Sequence, residues 1–440
     1  MAKNKLRSLG IIQIAASLIS LHYGLGFLLG TSEMVYKNGT SGILYALMCA
    51  IGLIFLVILI PFYWKRKKPI WTLFQKKYGD KVKNETIFLS WFWMIGVTTS
   101  QIIAAAYILN LIGIPLIPSL ILVIILTSLI SMLPIEKLSK TLLILLIVSS
   151  AILIFGVFKL SNPSLIYTNI ISIPKSLSSM GLIQFLGIAT PTILITMLGM
   201  DFHQFIVRGK KIKNSIIASC LAAFVLIILI LIPTMIVVGS QSKGILPIDI
   251  DGKQIIPYIL IFLGKNLFGN HFGYIFLIAM IAVSLGSCSC LMRIMVKTFL
   301  GFKFIPKKLK NKNSVNVINC LIIFLLSLKS GTIVSLIVSF YAVYITGVFV
   351  PFVAFLIQEK KWLKFHSATI LSTMTAGAIS SVLVLILSKL EVLNSLILSN
   401  LEFAMITVGM VTSTITLISN KIFIEPHFIN STKHYGYRKK

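Results

Sequence analysis

Leu21-His22-Tyr23-Gly24-Leu25-Gly26-Phe27-Leu28-Leu29-Gly30 lies inside an otherwise apolar run covering residues 8–35. Three glycines fall within seven residues here, and each weakens a helix by roughly 1 kcal/mol relative to alanine. The run is long enough to cross a bilayer, so it reads as a membrane helix interrupted near its middle. A second run, 178–205, carries Gly187-Ile188-Ala189-Thr190-Pro191 near its centre. There the proline removes a helical hydrogen bond, which predicts a second interruption. Taken singly, each has an ordinary explanation, close helix packing at Gly26-x-x-x-Gly30 or a proline kink.

Twelve apolar runs of spanning length can be read outward from these two, at about 8–35, 40–63, 86–110, 112–134, 139–159, 178–205, 214–239, 272–296, 314–330, 332–357, 367–389 and 400–420. Composition agrees: 57% of residues are hydrophobic and only 12% are charged, against roughly a quarter charged in soluble domains. This excludes a soluble enzyme, a disordered chain and, with five dispersed cysteines, a disulfide scaffold. The reading is an all-α membrane protein of about 12 transmembrane helices.

The net charge of +29 suits either a nucleic-acid surface or the inner loops of a membrane protein. Its distribution decides between them. With the N-terminus inside, 32 of the 40 Lys and Arg fall on inner segments, and only Lys37, Lys159, Lys175, Lys243, Lys253, Lys265, Lys329 and Lys389 fall outside. Nucleic acid is therefore not an expected partner. The lipid bilayer and a small solute are, with the protein multi-pass in the cell (inner) membrane and both termini cytoplasmic. The outer segment around 240–271 is expected to carry a short helix.

The two interruptions stand five spans apart, as they would in two five-span repeats of inverted topology, 8–159 and 178–357, followed by two trailing helices over 367–420 and a short cytoplasmic tail over 421–440. Paired interruptions at matching places point to a transporter site at the midplane, because unwound backbone frees carbonyls and half-helix ends for ligands.

Several stretches, in order, resemble the sodium:solute symporter family over nearly the whole chain: GLGFLLGTSEMVYKNG at 24–39, the basic loop with Trp71-Thr72-Leu73 and Tyr78-Gly79, DFHQFIVRGKK at 201–211, Ile232-Pro233, GYIFLIAMIAVSLGSC at 273–288, and Pro351-Phe352 with Lys360-Lys361. The resemblance implies a LeuT-like fold, a 5+5 inverted repeat plus two C-terminal helices. It also implies alternating access and sodium-coupled uptake of a small organic solute; the acidic residue and the histidine near span 1 are compatible with an amino acid, an organic acid or a cation. Where members carry adjacent Ser/Thr on span 8, an ungapped match places Leu285-Gly286, with Ser284 and Ser287 to either side. A tentative Na⁺ site would draw on Ser20, Tyr23, Ser284 and Ser287; no other cofactor is expected.

Ionisable groups are costly inside a membrane and are candidates by default. His22, beside the first interruption, could contact substrate, relay protons or bond a freed carbonyl. Glu33 lies toward the outer end of span 1, where hydration is the plain expectation. Asp201 and His203 sit near Arg208 at the inner end of span 6, where an ion pair at an inner gate competes with a solvated helix end. Gln101, in the run Thr98-Thr99-Ser100-Gln101, is the span 3 substrate candidate, together with Tyr23, Gly24, Gly26, Phe27, Gly187 and Thr190 at the interruptions. Phe340 and Tyr341 either gate the cavity or pack. No phosphate-binding loop, metal-ligand set or catalytic motif is present. The readings left are a transporter coupled to sodium or protons, then a transporter-like sensor, then a channel; an enzyme is the least supported.

Overall fold

The computed structural model describes residues 7–247, 249–269, 272–302, 306, 310–328, 333–390 and 400–424. Lys3, Lys5, Lys303, Lys307, Lys308, Lys329 and all but the first four residues of the tail lie outside these. Among the described residues the regular elements are all helices. Span 1 is two helices, α1 (Ile11–His22) and α2 (Leu25–Asn38), and span 2 is α3 (Leu44–Arg66). Then come α4 (Ile70–Tyr78), α5 (Asp80–Asn110), α6 (Leu116–Ser131), α7 (Ile135–Leu160) and α8 (Pro163–Ser179). Span 6 is α9 (Leu182–Leu198) with α10 (Met200–Ile206), and span 7 is α11 (Ile212–Leu229) with α12 (Leu231–Ser242). The series ends with α13 (Ile255–Phe268), α14 (Phe272–Phe299), α15 (Lys312–Ser327), α16 (Ile333–Glu359), α17 (Ser367–Lys389) and α18 (Leu401–Ser419).

Among the described residues, eight helical runs are long and apolar enough to cross a bilayer, or nine if the bent pair α8–α9 is one span. The twelve sequence runs map onto these with three shorter apolar helices, α1, α6 and α15. One of the eight, Leu25–Arg66, is 42 residues long, about 63 Å at 1.5 Å per residue and twice the hydrocarbon thickness. It turns at residues 39–43, where Gly39 has φ of +64° and Gly42 lies against the backbone of Met34 and Val35. The run is thus parts of two spans.

The long apolar helices present apolar side chains on their outer faces, as contact with lipid rather than water allows. On α6, Ile117, Ile121, Leu122, Ile125 and Leu129 are exposed while Leu120, Val123 and Ile124 are buried. A contiguous apolar surface of this kind marks a membrane contact. The fold is all-α and the protein is an integral, multi-pass membrane protein.

Loops assigned to one side of the membrane meet at one end of the bundle. Leu9 bridges Gly209, Ser8 donates to Glu136 (3.0 Å), Trp64 Nε1 donates to Gly209 O (3.1 Å), and Arg66 and Lys77 pair with Glu359. At the opposite end Thr40 bonds Ser176 (2.7 Å) and Lys243 Nζ donates to Lys159 O (2.9 Å). The short helix expected within 240–271 is α13. Two further elements were not foreseen: α4 in the basic loop after α3, and α8, which meets α9 at 105° and buries none of its residues.

The second interruption lies elsewhere than the sequence suggested. Helix α9 runs unbroken through Gly187 and Pro191, and span 6 breaks at Gly199. A proline ring clashes with the carbonyl four residues before it, here that of a glycine, and neighbouring groups in membrane helices compensate for the missing bond. Thr192 Oγ1 donates to Ile188 O (2.6 Å), within the same turn.

Candidate functional site

The break in span 1 is a three-residue turn. Tyr23 has φ −73°, ψ 61°, and Gly24 N donates to His22 O (2.7 Å), the geometry of an inverse γ-turn. This takes the Gly24 N–H away from the Ser20 carbonyl, which it would meet in a continuous helix. The glycine-rich sequence permits the turn because the backbone after it is crowded. A Cβ on Gly24 would overlap Gln101 Oε1 and Ser287 Oγ.

The break in span 6 is held from outside. Gly199 N donates to Ile195 O (2.6 Å), and the chain then departs from the helix with φ −64°, ψ 132°. Of the carbonyls left at the end of α9, that of Met197 accepts from Tyr63 Oη on α3 (3.0 Å) and that of Leu198 from Tyr344 Oη on α16 (3.2 Å). Helix ends within a membrane require such partners. A Cβ on Gly199 would stand 2.5 Å from Asp201 Oδ1, so the bare glycine makes room for that carboxylate.

The two breaks adjoin, since the His22 ring stacks on Phe202 with centroids 4.7 Å apart. His203 meets Tyr63 edge-on at 5.0 Å, and Trp93 of α5 packs on Tyr341 and Tyr344 at 5.8 and 5.9 Å. Tyr341, Tyr344 and Cys290 lie within electrostatic reach of Asp201. Around α10, five buried side-chain atoms have no hydrogen-bond partner among the described residues: His22 Nε2, Asp201 Oδ1, His203 Nε2, and both amide atoms of Gln204. Each such atom costs about 1–3 kcal/mol unless something bonds it. Collected where two helices are broken, they are the strongest indication of a ligand site in the molecule.

The remaining sequence candidates divide. Tyr23, 1% exposed, caps α1 and lies beside Phe27, with ring centroids 5.5 Å apart. Gln101 braces α5 against α14: its Oε1 accepts from Ser287 and its carbonyl from Ser284 (3.3 Å). Gly26 and Gly30 press α2 against Ile337 and Val334 of α16, which is the close packing the sequence left open as an alternative. Gly187 packs against Asn400 and Phe403 of α18 and Thr190 is half-buried, so the structure separates both from the break at Gly199. Phe340 packs on Gly96 and Phe92.

The tentative sodium set also splits. Ser284 and Ser287 share one face of α14, but that face is turned to Gln101. A separate cavity of about 10 Å³, room for roughly one water-sized particle, is lined by Ser20 and Tyr23 of span 1, Ser149 of α7, and Gly286 of α14. Ser149 was legible only as half of the Ser149-Ser150 pair in an apolar helix. Tyr63 and Tyr344 carried no sequence signal, because tyrosine in a membrane helix more often marks an interface.

Two expectations about charged groups change. Arg208 does not pair with Asp201; its guanidinium lies 3.9 Å from Glu136. Glu33 is more enclosed than a plain helix end: it is 6% exposed, ion-paired with Lys37 at 2.8 Å, and covered by Gly252.

The basic end is closed by a clamp. Leu9 N donates to Arg208 O (3.1 Å), Lys210 N donates to Leu9 O (3.3 Å), and the Arg7 guanidinium lies 3.4 Å over the Trp64 ring. Trp64→Ala removes the cation–π contact and the bond to Gly209, so the clamp should open more often. In a chain keeping Cys290 as its one cysteine, alkylation of this buried thiol should then speed up several-fold. Unchanged labelling would show that the clamp does not control access.

No family model matches the chain, and no curated protein matches it. Solved structures do. A Na⁺-coupled sialic acid symporter in a substrate-bound, outward-open state is similar with a TM-score of 0.71 and 16% identity, covering 96% of this chain and 91% of that one. MhsT in complex with L-phenylalanine gives a TM-score of 0.55 and 14% identity over 93% of this chain and 98% of that one. At these identities the likeness is one of fold: this chain has the LeuT-like fold of those two proteins.

Proposed function

We propose that this protein is a secondary active transporter that imports a small organic solute by alternating access, with the solute held at the apposed breaks around His22, Asp201 and Gln204. The observation that carries this reading is the cluster of unsatisfied buried polar atoms where the broken helices meet. On this reading, 8–159 and 178–357 are the two inverted repeats, with the termini cytoplasmic.

Asp201 narrows the solute. It is 3% exposed, and Arg208 is engaged elsewhere. A buried carboxylate without a cation is costly, and a solute carrying an ammonium group would supply one. An amino acid or amine therefore fits better than a simple organic acid. Sodium is the favoured coupling ion, because the Ser20–Tyr23–Ser149 cavity joins the span 1 turn to α7 and α14, and the similar sialic acid symporter is Na⁺-coupled. The departure at Leu285-Gly286 and the buried Asp201 and His22 support a second reading, proton coupling at the same site.

Uptake of labelled amino acids and amines into proteoliposomes, with sodium and proton gradients imposed separately, tests both. We expect sodium-dependent uptake, and Ser149→Ala should raise the half-saturating sodium concentration roughly tenfold by removing one oxygen from a charged ligand. Uptake driven by a proton gradient without sodium would replace the first reading with the second. No gradient-driven uptake of any amine or acid would remove both.

A further inference from the structure

Away from the breaks, at the basic end, a cavity of about 130 Å³ opens between α6, α14 and α15. Arg293 and Lys297, one turn apart on α14, face Lys312 and Asn316, one turn apart at the start of α15, across it. Ser131 and Met132, at the end of α6, complete the wall. Three cations converge here, and among the described residues no carboxylate lines the cavity. The nearest acid acting on Arg293 is Glu136, which accepts from Ser8 and lies beside Arg208. Among the described residues neither lysine has a carboxylate within ion-pair distance.

Arg293 Nη1 donates to the Leu133 carbonyl (2.5 Å), fixing the guanidinium at the cavity wall, while its Nε is buried without a partner. Asn316 is 5% exposed; its Nδ2 donates to Ser128 Oγ (2.5 Å) and its Oδ1 has no partner. The flanking surfaces are apolar and outward-facing: Met132 on the α6 side, and Val317 and Leu321 on α15, are exposed. The cavity thus sits where a lipid-facing surface meets the basic end, at headgroup depth.

We propose that this cavity is a phosphate-binding site, occupied by the headgroup of an anionic phospholipid. Lys297 and Lys312 neutralise the phosphate, Arg293 holds the wall in place, and the Asn316 carbonyl accepts from a headgroup hydroxyl such as that of phosphatidylglycerol. Acyl chains leave along Met132 and Val317. Basic pockets between membrane helices on the positively charged side suit such headgroups.

The test uses the full-length protein purified in a neutral detergent. Added phosphatidylglycerol should remain bound in native mass spectrometry and raise the unfolding midpoint, whereas phosphatidylcholine should do neither. Lys297→Gln with Lys312→Gln should weaken phosphatidylglycerol binding roughly twenty-five-fold, the product of about fivefold for each lysine. Lys297→Arg with Lys312→Arg should retain it. If inorganic phosphate alone raises the midpoint and displaces the lipid, the site is confirmed as a phosphate site filled from solution. Equal binding of the two lipids, or unchanged phosphatidylglycerol binding in the glutamine variant, would overturn the proposal. Should that variant fail to fold, a photoreactive phosphatidylglycerol on the wild-type protein decides: crosslinks at residues 296–300 and 312–316 support the site, and crosslinks elsewhere refute it.

Discussion

Asp201→Asn is expected to reduce uptake of an ammonium-bearing solute by two to three orders of magnitude, with the protein inserted and folded normally. The side chain is nearly isosteric, so the space beside Gly199 is preserved. What disappears is the charge. Removing one partner of a buried ion pair costs about 3–5 kcal/mol, because the other is left uncompensated in a medium of low dielectric constant. The bound solute would be that other partner. Binding of the same labelled solute to purified protein, measured beside uptake, locates the loss: affinity should fall with transport. Wild-type affinity in Asp201→Asn would mean that the carboxylate does not face the solute, and the inferred solute class would go with it.

Gly24→Val should be nearly as damaging, by a different route. The backbone at Gly24, with φ −106° and ψ −173°, is open to any residue, so the requirement is spatial. The first added carbon would already occupy the position of Gln101 Oε1 and Ser287 Oγ, both buried and bonded to each other. Neither is the loose end of an exposed side chain. Overpacking of this kind costs about 1–3 kcal/mol, and here it would force apart the three helices that form the turn. Uptake should fall at least tenfold and the unfolding midpoint should drop. Gly24→Ala with Gln101→Ala should recover part of both, because the second change vacates the space the first needs. Additive losses in that double variant would show that the contact is not what makes glycine necessary.

The spans and their grouping by side were legible because they depend on composition over twenty residues, where lipid and the positive-charge bias act on every position alike. The break at Tyr23-Gly24 was legible for the same reason, since its glycines are clustered. Span 6 misled. Pro191 is a conspicuous local signal that the surrounding helices absorb, while the true break rests on one glycine, Gly199, and on the Met197 and Leu198 carbonyls before it, whose partners Tyr63 and Tyr344 lie more than a hundred residues away on either side. Asp201 could be singled out from sequence as a charge inside a span. Its separation from Arg208 could not, because pairing depends on how α7 presents Glu136 to the loop after α10.

The two ends of the bundle are shut by different forces. At the opposite end, α2 meets α16 through Gly26, Gly30, Val334 and Ile337, an apolar seam held by dispersion. At the basic end the closure includes Arg7 on Trp64 and Arg208 near Glu136, contacts that dissolved ions weaken. Ionic strength therefore acts more strongly on the contacts at the basic end than on the apolar seam. On the proposed alternating-access reading, concentrated salt on the basic side should favour the form open to that side, so the electrolyte there would become a lever on the direction in which the empty protein rests.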